Sequence, residues 1–219
     1  MPSSTLDPMA IPMSALAQLQ HLVVERGEAV SATRIRVDGF LNHRVDPVVL
    51  DLVAAATSEI MAGQRIDLVL TAEAGGIAPA SATARALKVP MVYAKKFQLL
   101  ADPNPFHVRR IKSPTKAEEF DLGISRRVFQ SPGRVLVVDD VLAGGTTADV
   151  LCEFVAEAGG VVAAMVVVIE KTFQAGRRRL GERGVPVHAL VPIRSLEAGI
   201  ELGYADPGGP EPETTTGFV

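Results

Sequence analysis

Disulfides are excluded because the sequence contains one cysteine, Cys152. A single thiol in an apolar stretch is usually a small core residue, and a chain without disulfides suits a reducing compartment. The sequence also lacks a surplus of charge, since 22 basic residues against 25 acidic ones give a net charge of −3. This balance offers no general attraction for nucleic acid or an anionic membrane. Any binding of phosphate must therefore be local.

Long hydrophobic runs are absent as well. The longest apolar stretch, residues 161–169, is far too short to cross a bilayer. Residues 1–11 have neither a basic head nor a sustained apolar segment, so no signal or transit peptide is predicted. With 47% hydrophobic and 21% charged residues, the composition is that of a globular protein with a full core. These features predict a cytoplasmic protein with neither a membrane nor a nucleic-acid partner.

Short apolar runs bounded by glycine or proline alternate with longer stretches of helical period. The apolar runs are rich in valine and lack polar alternation, which is typical of strands covered on both faces. They lie at residues 68–70, 91–93, 135–138 and 161–169. Helices are predicted between them at residues 47–61, 78–87 and 147–158. The alternation predicts an α/β fold with a central, mostly parallel sheet flanked by helices.

Residues 97–130 break this pattern, because they are polar and carry several prolines and a basic group that includes Arg109 and Arg110. A long insertion of this kind is usually a functional lid or a pair of edge strands, and a solvated hairpin is the alternative. Residues 205–219 are rich in Pro, Gly, Glu and Thr and have little to bury. They are predicted to form a flexible tail after a single domain of residues 1–204.

The segment VLVVDDVLAGGTTA, residues 135–148, carries the most specific chemical signal. An apolar strand ends in Asp139 and Asp140 and passes through a glycine pair and two threonines into a helix. Ligands of open parallel sheets bind at the carboxyl ends of strands, and free N–H groups at a helix start attract phosphate. Neither a Walker A pattern nor a G-x-G-x-x-G after the first strand is present. The predicted phosphate-binding residues are Ala143, Gly144, Gly145, Thr146 and Thr147.

Asp139 and Asp140 place two adjacent carboxylates beside this predicted phosphate site. The two charges repel each other and the ligand unless a partner compensates. The hydroxyls of a ribose would do so, and so would Mg²⁺, which is usually held through one or two carboxylates plus phosphates and waters. The structural alternative is that one aspartate caps the turn while the other faces solvent. The AGGTT sequence that follows favours the functional interpretation.

A second strand-to-helix junction, TAEAGGIAPA at residues 71–80, repeats this arrangement. Glycines before a helix often only permit tight packing, yet two such junctions on one sheet predict a substrate with two separated phosphate groups. Lys95 and Lys96 follow the next strand, where they either face a polyphosphate or lie at the surface as most lysines do. The turn of this second junction consists of Glu73, Ala74, Gly75 and Gly76.

Five blocks of the sequence resemble the type I phosphoribosyltransferases, and more specifically the xanthine phosphoribosyltransferases. The blocks are RVDGFLNHRVDP (36–47), TAEAGGIAPA (71–80), VPMVYAKK (89–96), VLVVDDVLAGGTTA (135–148) and VIEKTFQAGR (168–177). The fourth is the superfamily signature for phosphoribosyl pyrophosphate (PRPP), whereas the first and last indicate xanthine. The resemblance implies the type I fold, a small hood built from about residues 30–46 and 171–203, and a homodimer.

The resemblance also implies roles for the residues of these blocks. Residues 143–147 would hold the 5-phosphate of PRPP, and residues 73–76 would meet its pyrophosphate with Lys95 and Lys96 nearby. Asp139 and Asp140 would bind the ribose hydroxyls and, through PRPP and water, Mg²⁺. Together with Glu73 they are the expected catalytic residues.

The base would be recognised by residues matching Ile35, Asn42 and Lys171. The side chains of two of these residues suit that role. Asn42 can donate and accept hydrogen bonds along a purine edge, and Lys171 can donate to keto oxygens. Phe173 either packs on the purine face or belongs to the core.

The implied activity is purine salvage, in which xanthine and PRPP give xanthosine monophosphate and pyrophosphate with Mg²⁺. One loop departs from the pattern, because the chain has AGGTT where the xanthine enzymes carry ANGQA. Adenine or another purine is therefore an alternative substrate. A second alternative is a non-catalytic regulator of the same fold that senses PRPP or a nucleotide. It ranks below catalysis, because the first 30 residues show no clear helix-turn-helix.

Overall fold

The structure, a computed structural model, describes residues 13–98, 103–112 and 119–205. The predicted tail, residues 205–219, lies outside these ranges except for Ala205. In chain order the elements are α1 (Ala15–Arg26), β1 (Glu28–Ser31), β2 (Arg34–Arg36), a π-helical turn (Asp38–Asn42), α2 (Pro47–Ile60), β3 (Leu68–Ala72), α3 (Ile77–Leu87), β4 (Met91–Phe97), β5 (Phe106–Lys112), β6 (Glu119–Ser125), β7 (Arg134–Leu142), α4 (Thr146–Glu157), β8 (Val161–Lys171), α5 (Gly176–Glu182), β9 (Val187–Ser195) and β10 (Glu201–Leu202).

Eight strands form one sheet in the order β10-β9-β8-β7-β3-β4-β6-β5, and β1 pairs with β2 in a separate ribbon. The five central strands, from β9 to β4, run parallel to one another. Antiparallel pairing is confined to the two edges. The predicted α/β fold with a mostly parallel sheet is therefore confirmed. None of the helices in the described ranges combines the length and the apolar character needed to span a membrane.

The order of the strands reverses between β3 and β7. From β3 the chain moves outward to β4, whereas from β7 it moves in the opposite direction to β8. As a result α3 packs in one apolar layer with α1 and α2, and α4 packs in the other layer with α5. When the connections from two adjacent parallel strands run to opposite faces of the sheet, a crevice forms between them at the carboxyl ends of the strands. Both glycine-containing turns noted above, residues 73–76 and 143–145, border it.

Successive side chains of β7 explain why its sequence is continuously apolar. Leu136 and Val138 face α1, α2 and α3, whereas Val135 and Val137 face α4 and α5. All four side chains are fully buried. A strand covered by helices on both faces has no solvent face on which to place polar residues.

Two strands extend further than the apolar pattern predicted. The prediction that the strand ends before Asp139 and Asp140 is wrong, because pairing with β8 continues through Val141 and Leu142. Likewise Lys95 and Lys96 lie inside β4, where they pair with β6. Backbone hydrogen bonds of a ladder do not depend on side-chain polarity, so a strand can continue past its last apolar residue.

The insertion at residues 97–130 contains a pair of edge strands rather than a solvated hairpin. Leu122 and Ile124 of β6 are buried in the layer that also holds α4. On β5, Arg109 donates to Glu153 at 2.7 Å and forms an ion pair with Glu157, both on α4. These contacts attach the insertion to the helix that follows the AGGTT loop.

Candidate active site

The two aspartates and the turn at residues 73–76 touch across the crevice. A Cβ atom added to Gly75 would lie 2.2 Å from Oδ2 of Asp140, and one added to Gly76 would lie 2.5 Å from Oδ1 of Asp139. The glycines of this turn are therefore required for close packing against the carboxylates as well as for any approach of a ligand. The structure thus places the turn at residues 73–76 directly against Asp139 and Asp140.

Asp139 and Asp140 occupy an environment that does not balance two negative charges. Burial raises the pKa of Asp139 well above its usual range, and the charge of Asp140 raises it further. The charge of Lys96 acts in the opposite direction and lowers the pKa of Asp139. Such a pair is suited to a cation or to donor hydroxyl groups that would share the charge.

Asn42 reaches this pair from a distant part of the chain. Its Nδ2 donates to Oδ2 of Asp140 at 2.6 Å. The π-helical turn that carries Asn42 is anchored by Phe40 and Leu41, both buried in the first apolar layer. A single π turn is frequently found at functional sites, because it turns a side chain out of the regular helical register. Here it presents an exposed amide next to the partly buried carboxylate of Asp140.

The AGGTT loop forms the start of α4. Gly145 has a φ of 79°, and a Cβ at this position would lie 2.8 Å from Cα of Gly176. Both the conformation and the space exclude a side chain there. The first backbone N–H groups of α4 have no acceptor within the helix and face the crevice end of the sheet, as anion binding requires.

Of the predicted base-binding residues, Asn42 lies at Asp140, whereas Lys171 ends β8 and Phe173 follows it closely. Nζ of Lys171 donates to the carbonyl of Thr33 at 2.9 Å, in the turn between β1 and β2. Burial lowers the pKa of Lys171. Ile35 and Phe173 are both partly buried against the first apolar layer. The structure therefore joins the β1–β2 ribbon to the end of β8.

Glu73 and the two lysines have different surroundings. The carboxylate of Glu73 accepts the backbone N–H of Lys96, so it ties the turn to β4. The ammonium of Lys96 lies 5.4 Å from the ring centroid of Phe120. That of Lys95 lies 5.7 Å from the ring of Tyr93, two residues before it on the same strand. Because neighbouring side chains of a strand point to opposite faces, only one of these lysines can share the face of Asp139.

Sequence analysis missed the residues of α5 that donate hydrogen bonds to the carbonyl groups of the AGGTT loop. The N–H of Gly176 donates to the carbonyl of Ala143 at 2.9 Å, and Nε of Arg179 donates to that of Gly144 at 3.0 Å. Both donors lie on α5, which the apolar pattern did not reveal. Gly176 belongs to the VIEKTFQAGR block, so that block was the available signal.

Comparison with known proteins agrees with this geometry. A family model described as "Phosphoribosyl transferase domain" matches residues 46–186. The chain belongs to the phosphoribosyltransferase family. Its curated relatives include a xanthine phosphoribosyltransferase of Pseudomonas entomophila, 38% identical over 83% of this chain and 96% of the relative. That of Chloroflexus aurantiacus is 40% identical over 86% of this chain and 89% of its own length. The family predicted from the sequence is confirmed.

Solved structures share the fold of this phosphoribosyltransferase. The adenine phosphoribosyltransferase of Rhodothermus marinus matches with a TM-score of 0.65 and 24% identity, over 81% of this chain and 99% of that one. The adenine phosphoribosyltransferase of Trypanosoma brucei was solved with AMP, pyrophosphate and ribose-5-phosphate. It matches with a TM-score of 0.63 and 20% identity, over 80% of this chain and 79% of that one. At these identities the likeness concerns the fold alone.

Cys152 lies outside the site, on the buried side of α4, and is 5% exposed. Burial raises the pKa of its thiol to about 11, so its thiolate is scarce at neutral pH. We expect Cys152→Ala to retain wild-type activity and to lower the free energy of unfolding by about 1 kcal/mol, the cost of removing one buried sulfur. Urea denaturation and a turnover assay measure the two effects. Loss of turnover at unchanged stability would contradict the structural role of this cysteine.

Proposed function

We propose that the protein transfers the phosphoribosyl group of PRPP to a purine base, with xanthine as the preferred base. The observation that carries the proposal is the crevice in which the turn at residues 73–76 packs against Asp139 and Asp140, just before the AGGTT loop. Relatives named xanthine phosphoribosyltransferase match this chain over nearly their whole length. The products are xanthosine monophosphate and pyrophosphate, and the reaction serves purine salvage.

At the PRPP end, residues 143–147 hold the 5-phosphate at the start of α4. Asp139 and Asp140 accept hydrogen bonds from the ribose hydroxyls, and residues 73–76 bind the pyrophosphate. Glu73 positions this turn, because its carboxylate holds the N–H of Lys96. Lys96 supplies positive charge near the pyrophosphate, and Lys95 contributes to the potential from the other face of β4.

Mg²⁺ fits the site as an ion carried by PRPP rather than as a resident metal. The described residues contain no cluster of three or more side chains of His, Cys, Asp or Glu that could hold a metal. Two carboxylates with an uncompensated charge, plus phosphates and waters, are the usual surroundings of Mg²⁺. When bound, the ion would neutralise charge on the departing pyrophosphate. Asp139 and Asp140 would hold it indirectly, through the ribose hydroxyls and water.

At the base end, Asn42 and Lys171 recognise polar edges of the purine, while Ile35 and Phe173 contact its faces. Lys171 donates to the keto oxygens and stabilises an anionic form of the base. Residues 30–46 and 171–203 together form a hood over this end. The hydrogen bond from Lys171 to Thr33 supports such a hood, because it joins the two segments.

The AGGTT loop is compatible with xanthine on steric grounds. A Cβ added to Gly144 meets no atom within 4 Å. A larger side chain, as in the xanthine enzymes, would therefore point into open space. The absence of that side chain in this protein leaves the phosphate-binding backbone unchanged, so the loop does not select among purines.

The transfer of the phosphoribosyl group requires no covalent nucleophile on the protein. A ring nitrogen of the base attacks C1 of the ribose as pyrophosphate leaves, and the base loses a proton to solvent. The ribose gains positive charge on the way, and the carboxylates of Asp139 and Asp140 are oriented to stabilise it. Orientation of base and sugar supplies much of the remaining rate enhancement. A lid formed by residues 97–130, which would exclude water, stays a prediction.

The protein is further proposed to act as a cytoplasmic homodimer. Val45, just before α2, and Val48, in its first turn, are 42% and 59% exposed. Exposed apolar side chains that lie close together are frequent at interfaces between subunits. Analytical ultracentrifugation would measure the mass directly.

The substrate is tested by pyrophosphate release from PRPP and Mg²⁺ with xanthine, guanine, hypoxanthine, adenine and no base. We expect kcat/KM for xanthine to exceed that for adenine by about 10²-fold or more, because a site built to hydrogen-bond keto oxygens rejects a base that lacks them. A preference for adenine would refute the choice of xanthine. Binding of PRPP without release for any base would instead favour a sensor of the same fold.

A further inference from the structure

A short loop, residues 171–176, lies between the two ends of the site. At its first residue, Lys171 donates to Thr33 on the side of the base. At its last residue, Gly176 donates to the carbonyl of Ala143 in the AGGTT loop. A Cβ on Gly176 would lie 2.4 Å from that oxygen, so the two backbones are in direct contact. Any displacement of this loop therefore moves both ends of the site.

Arg177 closes the loop by binding the residue that precedes it. Nε of Arg177 donates to Oε1 of Glu170 at 2.8 Å, and Nη2 donates to Oε2 at 2.5 Å. Its Nη1 donates to the carbonyl of Val187 on β9 at 2.9 Å. A planar guanidinium that binds both carboxylate oxygens and a neighbouring strand holds the end of β8 and the start of α5 in one geometry.

The surroundings of this pair add further constraints. Glu170 is 1% exposed, and the guanidinium carbon of Arg177 lies 5.0 Å from the ring centroid of Tyr204. The hydroxyl of Thr172 donates to Ile193 at 3.0 Å and accepts the N–H of Ala205 at 2.9 Å. Residues 204–205 are thereby attached to the same loop, on the side away from the AGGTT turn.

Stability alone does not account for this pair, in which the carboxylate of Glu170 is buried and the side chain of Arg177 is 38% exposed. Apolar residues of similar volume often replace a buried ion pair without loss of stability. What they cannot reproduce is the fixed, planar and bidentate geometry. In this protein that geometry holds the two ends of a loop that touches both halves of the proposed site.

We propose that Arg177, through Glu170, is a positioning residue for residues 171–176. It keeps the base-binding end and the PRPP-binding end of the site at a fixed distance and orientation. The inference rests on the proposed function, because it assigns Lys171 to the base and residues 143–147 to the phosphate. Arg177 itself touches neither substrate in this assignment. Its effect is therefore expected on the binding of both substrates and much less on the chemical step.

The test is the double variant Glu170→Met with Arg177→Met, which removes both charges and avoids an unpaired buried carboxylate. With urea denaturation unchanged, we expect KM for the base and KM for PRPP each to rise about tenfold, with kcat within about threefold of wild type. In the single variant Arg177→Lys we also expect both KM values to exceed those of the wild type. A lysine cannot bind two carboxylate oxygens and a carbonyl in one plane.

Two arginine variants, one on α5 and one at the residue that follows it, serve as matched controls. Arg183→Met removes ion pairs with Asp149 and Glu153 and leaves the loop untouched, so both KM values should stay at wild type. Arg179→Met removes the bond to Gly144 and should raise KM for PRPP alone. The proposal is overturned if a stable double variant keeps either KM at wild type, or if Arg177→Lys restores both. A wild-type enzyme inactive with every base would refute the proposed function instead, which the base panel detects separately.

Discussion

Replacing Asp140 with Asn is expected to lower kcat/KM by about 10²- to 10³-fold for every base that the enzyme accepts. The side chain keeps its size, and Asn42 can still donate to the remaining oxygen at this position. The carboxylate charge, however, is lost from the place where the ribose becomes positive. Pyrophosphate release at saturating PRPP, measured across the base panel, gives the size of the effect.

The control for this variant is Asp67→Asn. Asp67 lies just before β3, at the amino end of the parallel strands, where its carboxylate accepts the N–H of Arg134 at 2.8 Å. It has the same chemistry as Asp140 but lies at the opposite edge of the sheet, so kcat/KM should stay at wild type. An Asp140→Asn enzyme with wild-type kcat/KM would exclude this carboxylate from the reaction. A loss confined to one base would place Asp140 at the purine instead of the ribose.

Replacing Lys171 with Met is expected to lower kcat/KM for xanthine by about 10²-fold, with a change of at most about threefold for adenine. Methionine retains most of the apolar stem of lysine, so the packing at the end of β8 is preserved. What is lost is a positive donor for the keto oxygens, which adenine lacks. The comparison of the two bases in one variant separates recognition from damage to the fold.

The same lysine predicts a pH dependence. Burial lowers the pKa of Lys171 from the usual value of 10.5, so its ammonium loses its proton at a lower pH than an exposed lysine. Activity with xanthine should therefore decline at alkaline pH through a step that Lys171→Met lacks. Lys171→Arg provides a control, because its guanidinium stays charged over this range. Equal losses for xanthine and adenine in Lys171→Met would contradict a role in choosing the base.

The sequence suggests candidate site residues where a role depends on adjacent positions. The AGGTT loop is a candidate for phosphate because a strand, a glycine pair and the start of a helix must follow one another for backbone N–H groups to face an anion. Asp139, Asp140 and residues 73–76 were proposed for the same reason, and their roles stay predictions. Parallel, doubly covered strands were predicted because burial on both faces leaves a continuous apolar run.

Strand ends and edge elements were predicted less well, and for one reason. Pairing with β8 carries β7 past the apolar run to Leu142, and pairing with β6 carries β4 to Phe97. The insertion at residues 97–130 packs on α4 through contacts such as that of Arg109 with Glu153. Each of these depends on a partner elsewhere in the chain, which local pattern does not contain.

The sequence by itself determined the family and the α/β class, because these follow from local order along the chain, and it predicted the loops that we assign to phosphate. Tertiary structure alone decided how the site is assembled. It brings Asn42 to Asp140 across 98 residues, and Lys171 to Thr33 across 138. It also brings Arg177, an ordinary arginine by composition, to Glu170, where the guanidinium binds both carboxylate oxygens. Such contacts arise only when the strand order is set, since side chains far apart in sequence meet only through the fold.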